Sequence, residues 1–194
     1  MCGNGGRCIT DFANQLGVFT DETQFIAIDG LHDAKMVGAH QVALKMMNVS
    51  EIEVGADFFV LNTGSPHYIV FAEDISDINV SETGAAIRYS ARFKEEGINV
   101  NFVEKDTACI KVATYERGVE DETLSCGTGV TAAAIAYVIE QQLSGVQKVP
   151  IQTKGGQLTV QLNYNPISKN VSDIWLIGSA TKVFDGEFEI PNSI

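Results

Sequence analysis

A nearly identical stretch occurs twice in this chain, at its start and again well past its middle. This doubling constrains the fold more than any other feature. The first copy is Met1-Cys2-Gly3-Asn4-Gly5-Gly6 and the second is Ser125-Cys126-Gly127-Thr128-Gly129. Each places Cys, Gly, a small polar residue and Gly ahead of a segment with helical character. Ile9, Phe12, Ala13 and Leu16 follow the first copy at helical spacing, and the Ala-rich run from Val130 to Ile139 follows the second. The unpaired N–H groups of a helix's first turn, with the helix dipole, favour a thiolate at the helix mouth. The same N–H groups can hold a carboxylate. Two copies point to two thiols facing one another, and to an internal duplication whose first copy is cut short.

A chain of 194 residues can bury a sizeable core, as one large domain or two smaller ones. Its net charge of −12 argues against nucleic acid or an anionic membrane surface as partner. No apolar run reaches membrane-spanning length, and the polar, Gly-rich start has no signal-peptide core, so a cytoplasmic location is expected. In that setting Cys2, Cys8, Cys109 and Cys126 do not suggest a disulfide framework. Closely paired cysteines are missing and His32, His40 and His67 are scattered, so no metal is expected. Cys8, in the first helix, and Cys109, in an apolar strand, read as packing residues.

Between the two motifs the pattern is mostly strand. Phe25-Ile26-Ala27-Ile28 is a continuous apolar run that fits a buried strand, and two short strands follow around Gly38. The polar stretch Asn48 to Gly55 suggests a domain junction. Phe58-Phe59-Val60-Leu61 enters the turn-rich Asn62-Thr63-Gly64-Ser65-Pro66-His67, and Tyr68-Ile69-Val70-Phe71 leaves it. A loop of that kind between apolar strands is where site residues commonly lie. Ser81 to Phe93 reads as an amphipathic helix, with Arg88 and Arg92 on its polar face. Val100 to Val103 and Ala108 to Tyr115 read as strands. After the Ala-rich helix, Gly155-Gly156 signals a hairpin between two more strands. Asp173 to Ile177 and Lys182 to Phe184 continue in strand, and Asp185-Gly186 signals a last hairpin before Phe188 and Ile190.

Two opposed thiols suit two-base proton transfer at carbon. One thiolate removes a proton, and the opposite thiol delivers one to the other face, inverting the centre without a cofactor. The α-proton of an amino acid is a very weak acid. Preorganised N–H donors from two helix mouths, aimed at one carboxylate in a water-excluded site, would stabilise the developing carbanion.

The motifs Met-Cys-Gly-Asn-Gly-Gly-Arg-Cys and Glu-Arg-Gly through Glu-Thr-Leu-Ser-Cys-Gly-Thr-Gly resemble the two active-site motifs of diaminopimelate epimerase. The resemblance runs through Asn-Thr-Gly-Ser-Pro-His and Gly-Ile-Asn-Val-Asn-Phe to Val-Phe-Asp-Gly. It implies an α/β (α+β) fold of two pseudo-symmetric domains, each a curved mixed sheet around a central helix, with the first domain incomplete. Residues 1–47 with a tail of 181–194 would form the first domain, and 48–180 the second.

The implied activity is cofactor-independent epimerisation of LL-diaminopimelate to meso-diaminopimelate, in lysine and peptidoglycan synthesis, by a cytoplasmic homodimeric isomerase. Cys2 and Cys126 would be the acid/base pair. Gly3, Asn4, Gly127 and Thr128 would bind the reacting carboxylate and amino group. Asn99 would bind the distal part of the substrate, Glu116 and Arg117 its amino and carboxylate groups, and His67 would support the thiols. Read without the family, Glu116-Arg117 is an exposed charge pair, His67 a loop-packing residue and Asn99 a turn former.

Three departures from the family pattern stand out. Ser65 replaces an Asn, which shortens or removes a substrate hydrogen bond. The Val119-Glu120-Asp121-Glu122-Thr123 loop is one residue longer than the commoner form. Cys2 follows Met1 directly, whereas the family carries strands and substrate-binding residues upstream. The apolar face of Ile9, Phe12 and Leu16 is therefore expected to be exposed, or covered by dimerisation or strand exchange. Weak or no epimerase activity is expected of the chain as it stands. A proline racemase-like enzyme and a non-catalytic remnant are the alternatives; Asn4 and Glu116-Arg117 favour the epimerase over the former.

Overall fold

Twelve strands join in one sheet among residues 1–187, the part of the chain that the computed structural model describes. Helix α1 (Gly3–Gln15) comes first, then β1 (Glu22–Ala27), β2 (Gly30–Gly38), β3 (Gln41–Lys45), β4 (Ile52–Val54), β5 (Phe58–Asn62) and β6 (Pro66–Ala72). A 3₁₀ turn (Ile75–Asp77) leads to α2 (Val80–Arg88), β7 (Asn99–Lys105), β8 (Ile110–Glu116) and β9 (Asp121–Thr123). Helix α3 (Gly127–Glu140) is followed by β10 (Gly145–Thr153), β11 (Gly156–Asn165) and β12 (Asn170–Ser179). The sheet order is β1-β2-β3-β12-β11-β10-β8-β7-β6-β5-β4, with β9 paired to β8. Only β6 with β7 and β8 with β10 run parallel among these strands. This is the sheet-dominated α+β class expected from the sequence. The first half joins the second through antiparallel pairing of β3 with β12.

The strands wrap α3. Its Val130, Ala132, Ala133, Ala134, Ile135, Ala136 and Val138 are all buried, in one core with Leu61, Ile69, Val103, Val112, Ile151 and Leu176. Small side chains are what allow strands to close on a helix from several sides. Period-2 alternation then sorts β6, β7 and β8. Ile69, Val103 and Val112 face α3, whereas Val100, Phe102, Ala113 and Tyr115 face the smaller cluster under α2. His67, Asn101 and Thr114 sit at even spacing from the first set, and so on the α3 side, although they are polar.

Helix α1 lies against β2, β3 and β12 on one side only. Its Ile9, Phe12 and Leu16 are 55%, 56% and 64% exposed, the exposed apolar face anticipated above. Gly17 ends it at φ +72°, a left-handed conformation suited to glycine.

Several sequence expectations are corrected. Phe25, Ile26 and Ala27 belong to an edge strand, with Ile26 84% exposed, because β1 has only β2 as a neighbour, and Ile28 lies in the turn after it. Lys182 to Phe184 form no strand. The Ala180 N–H donates to the His40 carbonyl at the end of β12, and Lys182 then pairs with Asp185 at 2.8 Å. Cys8 is exposed rather than packed, on the outward side of α1. Phe188 and Ile190 lie outside the described residues.

Candidate active site

The two glycine-rich motifs form the N-termini of α1 and α3, and these two helix mouths abut. A methyl placed on Gly127 would lie 3.1 Å from the Cα of Gly3, and one placed on Gly3 would lie 3.2 Å from the Cα of Gly127. Both would also strike Leu176 Cδ2, at 3.1 and 2.9 Å. Any side chain at either position would push the helices apart, which is why glycine stands at both. Cys2 caps α1 and Cys126 caps α3, each with extended backbone. Neither makes a side-chain capping bond to the helix. First-turn N–H groups that a Ser or Asp cap would occupy are therefore not taken by a cap at either mouth, and at α3 those of Thr128 and Gly129 face the Cys126 sulfur.

The two thiols differ in surroundings. Cys2 is exposed and Cys126 is buried. Burial pushes the Cys126 thiol above its ordinary pKa. The Gly129 and Thr128 N–H groups pull the other way, as does the Thr128 hydroxyl whenever its proton is turned onto the sulfur, and the Glu116 carboxylate raises it further. The thiolate expected at this helix mouth is thus opposed by desolvation.

Behind Cys126 runs a chain of buried polar groups. Its Sγ lies 3.4 Å from Thr128 Oγ1, which lies 2.9 Å from His67 Nε2. His67 Nδ1 is 2.8 Å from Asn101 Oδ1, and Asn101 Nδ2 donates to Thr114 Oγ1 at 2.6 Å. His67 and Asn101 are fully buried. Burial lowers the His67 pKa to about 4, with Asn101 acting against this and the Arg117 charge with it, so the ring is neutral at pH 7. The Thr63 hydroxyl donates to the Thr128 carbonyl at 2.8 Å and docks the loop before β6 on the mouth of α3.

Asn99 organises the other wall. Its Nδ2 donates to Ser65 Oγ at 2.8 Å and to the Pro66 carbonyl at 2.9 Å, and its Oδ1 accepts the Arg117 N–H at 2.9 Å. Ser65 is therefore turned onto Asn99, and both donors of Asn99 are engaged within the protein. Arg117 is exposed, with Nη1 donating to the Glu96 carbonyl at 2.8 Å. Among the described residues no carboxylate pairs with Arg117. Glu116 ends β8 close enough to Cys126 to act on its charge. The longer loop is a short hairpin of β8 with β9, anchored where Glu120 accepts from the Tyr89 and Tyr115 hydroxyls at 3.0 and 3.1 Å.

Of the sequence-named residues, Gly3, Asn4, Gly127 and Thr128 lie with Cys2 and Cys126 at the two mouths. Thr128 links Cys126 to His67, and Asn99 links Ser65 to Arg117. Sequence reasoning missed Asn101, Thr114 and Arg7. Arg7 is buried against α1's own mouth, donating to the Gly3 carbonyl and Asn4 Oδ1 at 3.3 Å each. The available signal for Asn101 and Thr114 was a polar residue at an inward position of an otherwise apolar strand.

The diaminopimelate epimerase family model matches residues 59–182. The diaminopimelate epimerase of Flavobacterium psychrophilum is 44% identical over 186 residues, covering 95% of this chain and 72% of that one. This chain belongs to the diaminopimelate epimerase family. The epimerase of Aquifex aeolicus is 38% identical over 203 residues, covering 96% of this chain and 68% of its own. Family members are isomerases, and the helix pair described above is the candidate site for that chemistry.

Among solved structures, a Bacillus anthracis phenazine biosynthesis protein of the PhzF family superposes with a TM-score of 0.76 at 13% identity. The match covers 98% of this chain and 76% of that one. A hydroxyproline epimerase from Agrobacterium vitis with bound trans-4-hydroxy-L-proline gives 0.69 at 16% identity, covering 92% and 63%. At such identities these two establish the shared fold alone. No helix among the described residues is long and apolar enough to cross a membrane.

Proposed function

We propose that this epimerase-family chain inverts the α-carbon of diaminopimelate by two-thiol proton transfer, serving lysine and peptidoglycan synthesis. The observation that carries this reading is the glycine-to-glycine contact of α1 and α3, which puts two cysteine-capped helix mouths side by side. The substrate carboxylate lies across both mouths. As the α-proton leaves, charge moves onto that carboxylate, and N–H groups already in place stabilise it without reorganisation. One thiolate takes the α-proton, and the other thiol gives its own to the opposite face. The enzyme then holds the reverse protonation pattern until solvent exchange or a reverse turnover restores it. Glu116 and Arg117 supply the anion and cation that a zwitterionic substrate requires, Arg being the better carboxylate fork. Asn99 shapes the distal wall through Ser65.

Deuterium entry at the α-carbon of diaminopimelate in heavy water tests the reading. Exchange by the full chain, at whatever absolute rate, is expected to fall on the order of 10³-fold in both Cys2→Ala and Cys126→Ala. No exchange by the parent chain, equal exchange in either variant, or exchange with proline instead of diaminopimelate refutes it.

A further inference from the structure

The buried polar chain behind Cys126 has a direction. Asn101 presents its amide nitrogen to Thr114 Oγ1 at 2.6 Å, so its carbonyl oxygen faces His67 Nδ1 at 2.8 Å. An oxygen acceptor requires a proton on Nδ1. A neutral imidazole carries one N–H, so Nε2 is left as a lone pair. The partner of Nε2 at 2.9 Å is Thr128 Oγ1, which must then donate. A hydroxyl has a single proton, so toward Cys126, 3.4 Å away, Thr128 offers only lone pairs. The group that satisfies those lone pairs is S–H, not S⁻, so this chain opposes the pull that the Gly129 and Thr128 N–H groups exert toward the thiolate. Reversing the Asn101 amide would reverse every bond along the chain and turn the Thr128 proton onto a thiolate.

We infer that Asn101 is a positioning residue: by accepting the Nδ1 proton of His67 it aligns the chain so that resting Cys126 is held as the proton-donating thiol. Its last step rests on the two-thiol reading; the orientation of His67 does not. Three observations agree with it. Asn101 and His67 are fully buried, so water cannot supply alternative partners. Burial also disfavours the Cys126 thiolate. Cys2 is exposed and makes no hydrogen bond to this chain, which leaves it to serve as the proton acceptor of the pair. A wrong tautomer behind a proton-transfer group is costly even when the geometry survives, and a carboxylate at the orienting position holds the correct one. Asn101→Asp therefore preserves the alignment, with Thr114 turning to donate, whereas Asn101→Leu abolishes it.

The test labels the full chain with ¹⁵N-histidine and reads which ring nitrogen of His67 is protonated, assigned with His67→Gln. The parent chain and Asn101→Asp are expected to carry the proton on Nδ1, and Asn101→Leu to shift it to Nε2 or to a mixture. Exchange at the α-carbon of diaminopimelate is expected to fall on the order of 10- to 100-fold in Asn101→Leu and to recover most of that loss in Asn101→Asp. A proton on Nε2 in the parent chain overturns the inference, a result that needs no variant to fold. An unchanged tautomer in Asn101→Leu overturns it as well, as does an Asn101→Asp no faster than Asn101→Leu. Absent exchange in the parent chain would defeat the two-thiol reading, while the tautomer measurements would still decide the role of Asn101.

Discussion

Helices α1 and α3 begin with almost the same residues and lead very different lives. Helix α3 is enclosed by strands, and its cap Cys126 is buried. Helix α1 leans on the sheet by one side, and its cap Cys2 is exposed. Pattern explains the first difference: apart from Thr131, Val130 to Val138 is apolar on every side, whereas α1 carries Arg7, Thr10, Asp11 and Asn14 between its apolar residues. The second difference is chemical. The same motif in two settings yields one buried thiol that resists ionisation and one thiol open to solvent. A two-base reaction needs one proton donor and one acceptor at the start of each turnover. Under the proposed two-thiol mechanism, the unequal burial of Cys2 and Cys126 would supply that difference before any substrate arrives.

The comparison can be broken most severely by core truncation. Ile135→Ala, in the enclosed helix, is expected to cost about 3 kcal/mol, and Ile9→Ala, on the open face of α1, no more than about 0.5 kcal/mol. Urea denaturation of both reads this directly. Similar losses would mean that the two helices are equally enclosed in solution.

The neutral His67 makes the enclosed side sensitive to acid. Its folded pKa of about 4 lies below the ordinary value of 6.5, so the unfolded chain binds the extra proton first. Stability from this group is complete above pH 6.5 and is lost as pH falls toward 4. The loss amounts to about 3 kcal/mol in full. His67→Gln is expected to flatten the stability profile between those limits; an unchanged slope would place the titration elsewhere.

A smaller effect sharpens the contact between the mouths. Gly127→Ala drives a methyl against the Gly3 backbone and is expected to cost about 2 kcal/mol. Gly5→Ala, whose methyl meets only Cys2 at 3.7 Å, should be close to neutral in denaturation. Equal costs would show that the mouths are not in contact. Smallest is the reactivity gap. Brief alkylation with iodoacetamide at pH 8, followed by peptide mapping, is expected to modify Cys2 at least about tenfold faster than Cys126. The reverse order would remove the proposed division between donor and acceptor.

Much of this was legible from residues alone. The duplicated Cys-Gly motif marked both helix starts, and apolar runs marked most strands. The exposed face of α1 followed from Ile9, Phe12 and Leu16 with nothing obvious to cover them. What escaped was set by long-range pairing. The run from Phe25 to Ile28 looks identical whether a strand has one neighbour or two. Asn101 and Thr114 look like ordinary strand residues until three strands bring them to His67. The thiolate expected of Cys126 followed from helix-mouth electrostatics, but desolvation depends on how many strands close over the site, and a linear pattern does not report that.

Leu176 carries no polar atom and comes from β12, far along the chain from either motif. Its terminal methyl nevertheless fills the space that a side chain on the glycine at either mouth would need. It is a spacer set between the starts of two helices. Under the proposed two-thiol mechanism, how far a flattened carbon could drift toward one sulfur before the other lost its reach would be set by the bulk of a hydrocarbon side chain.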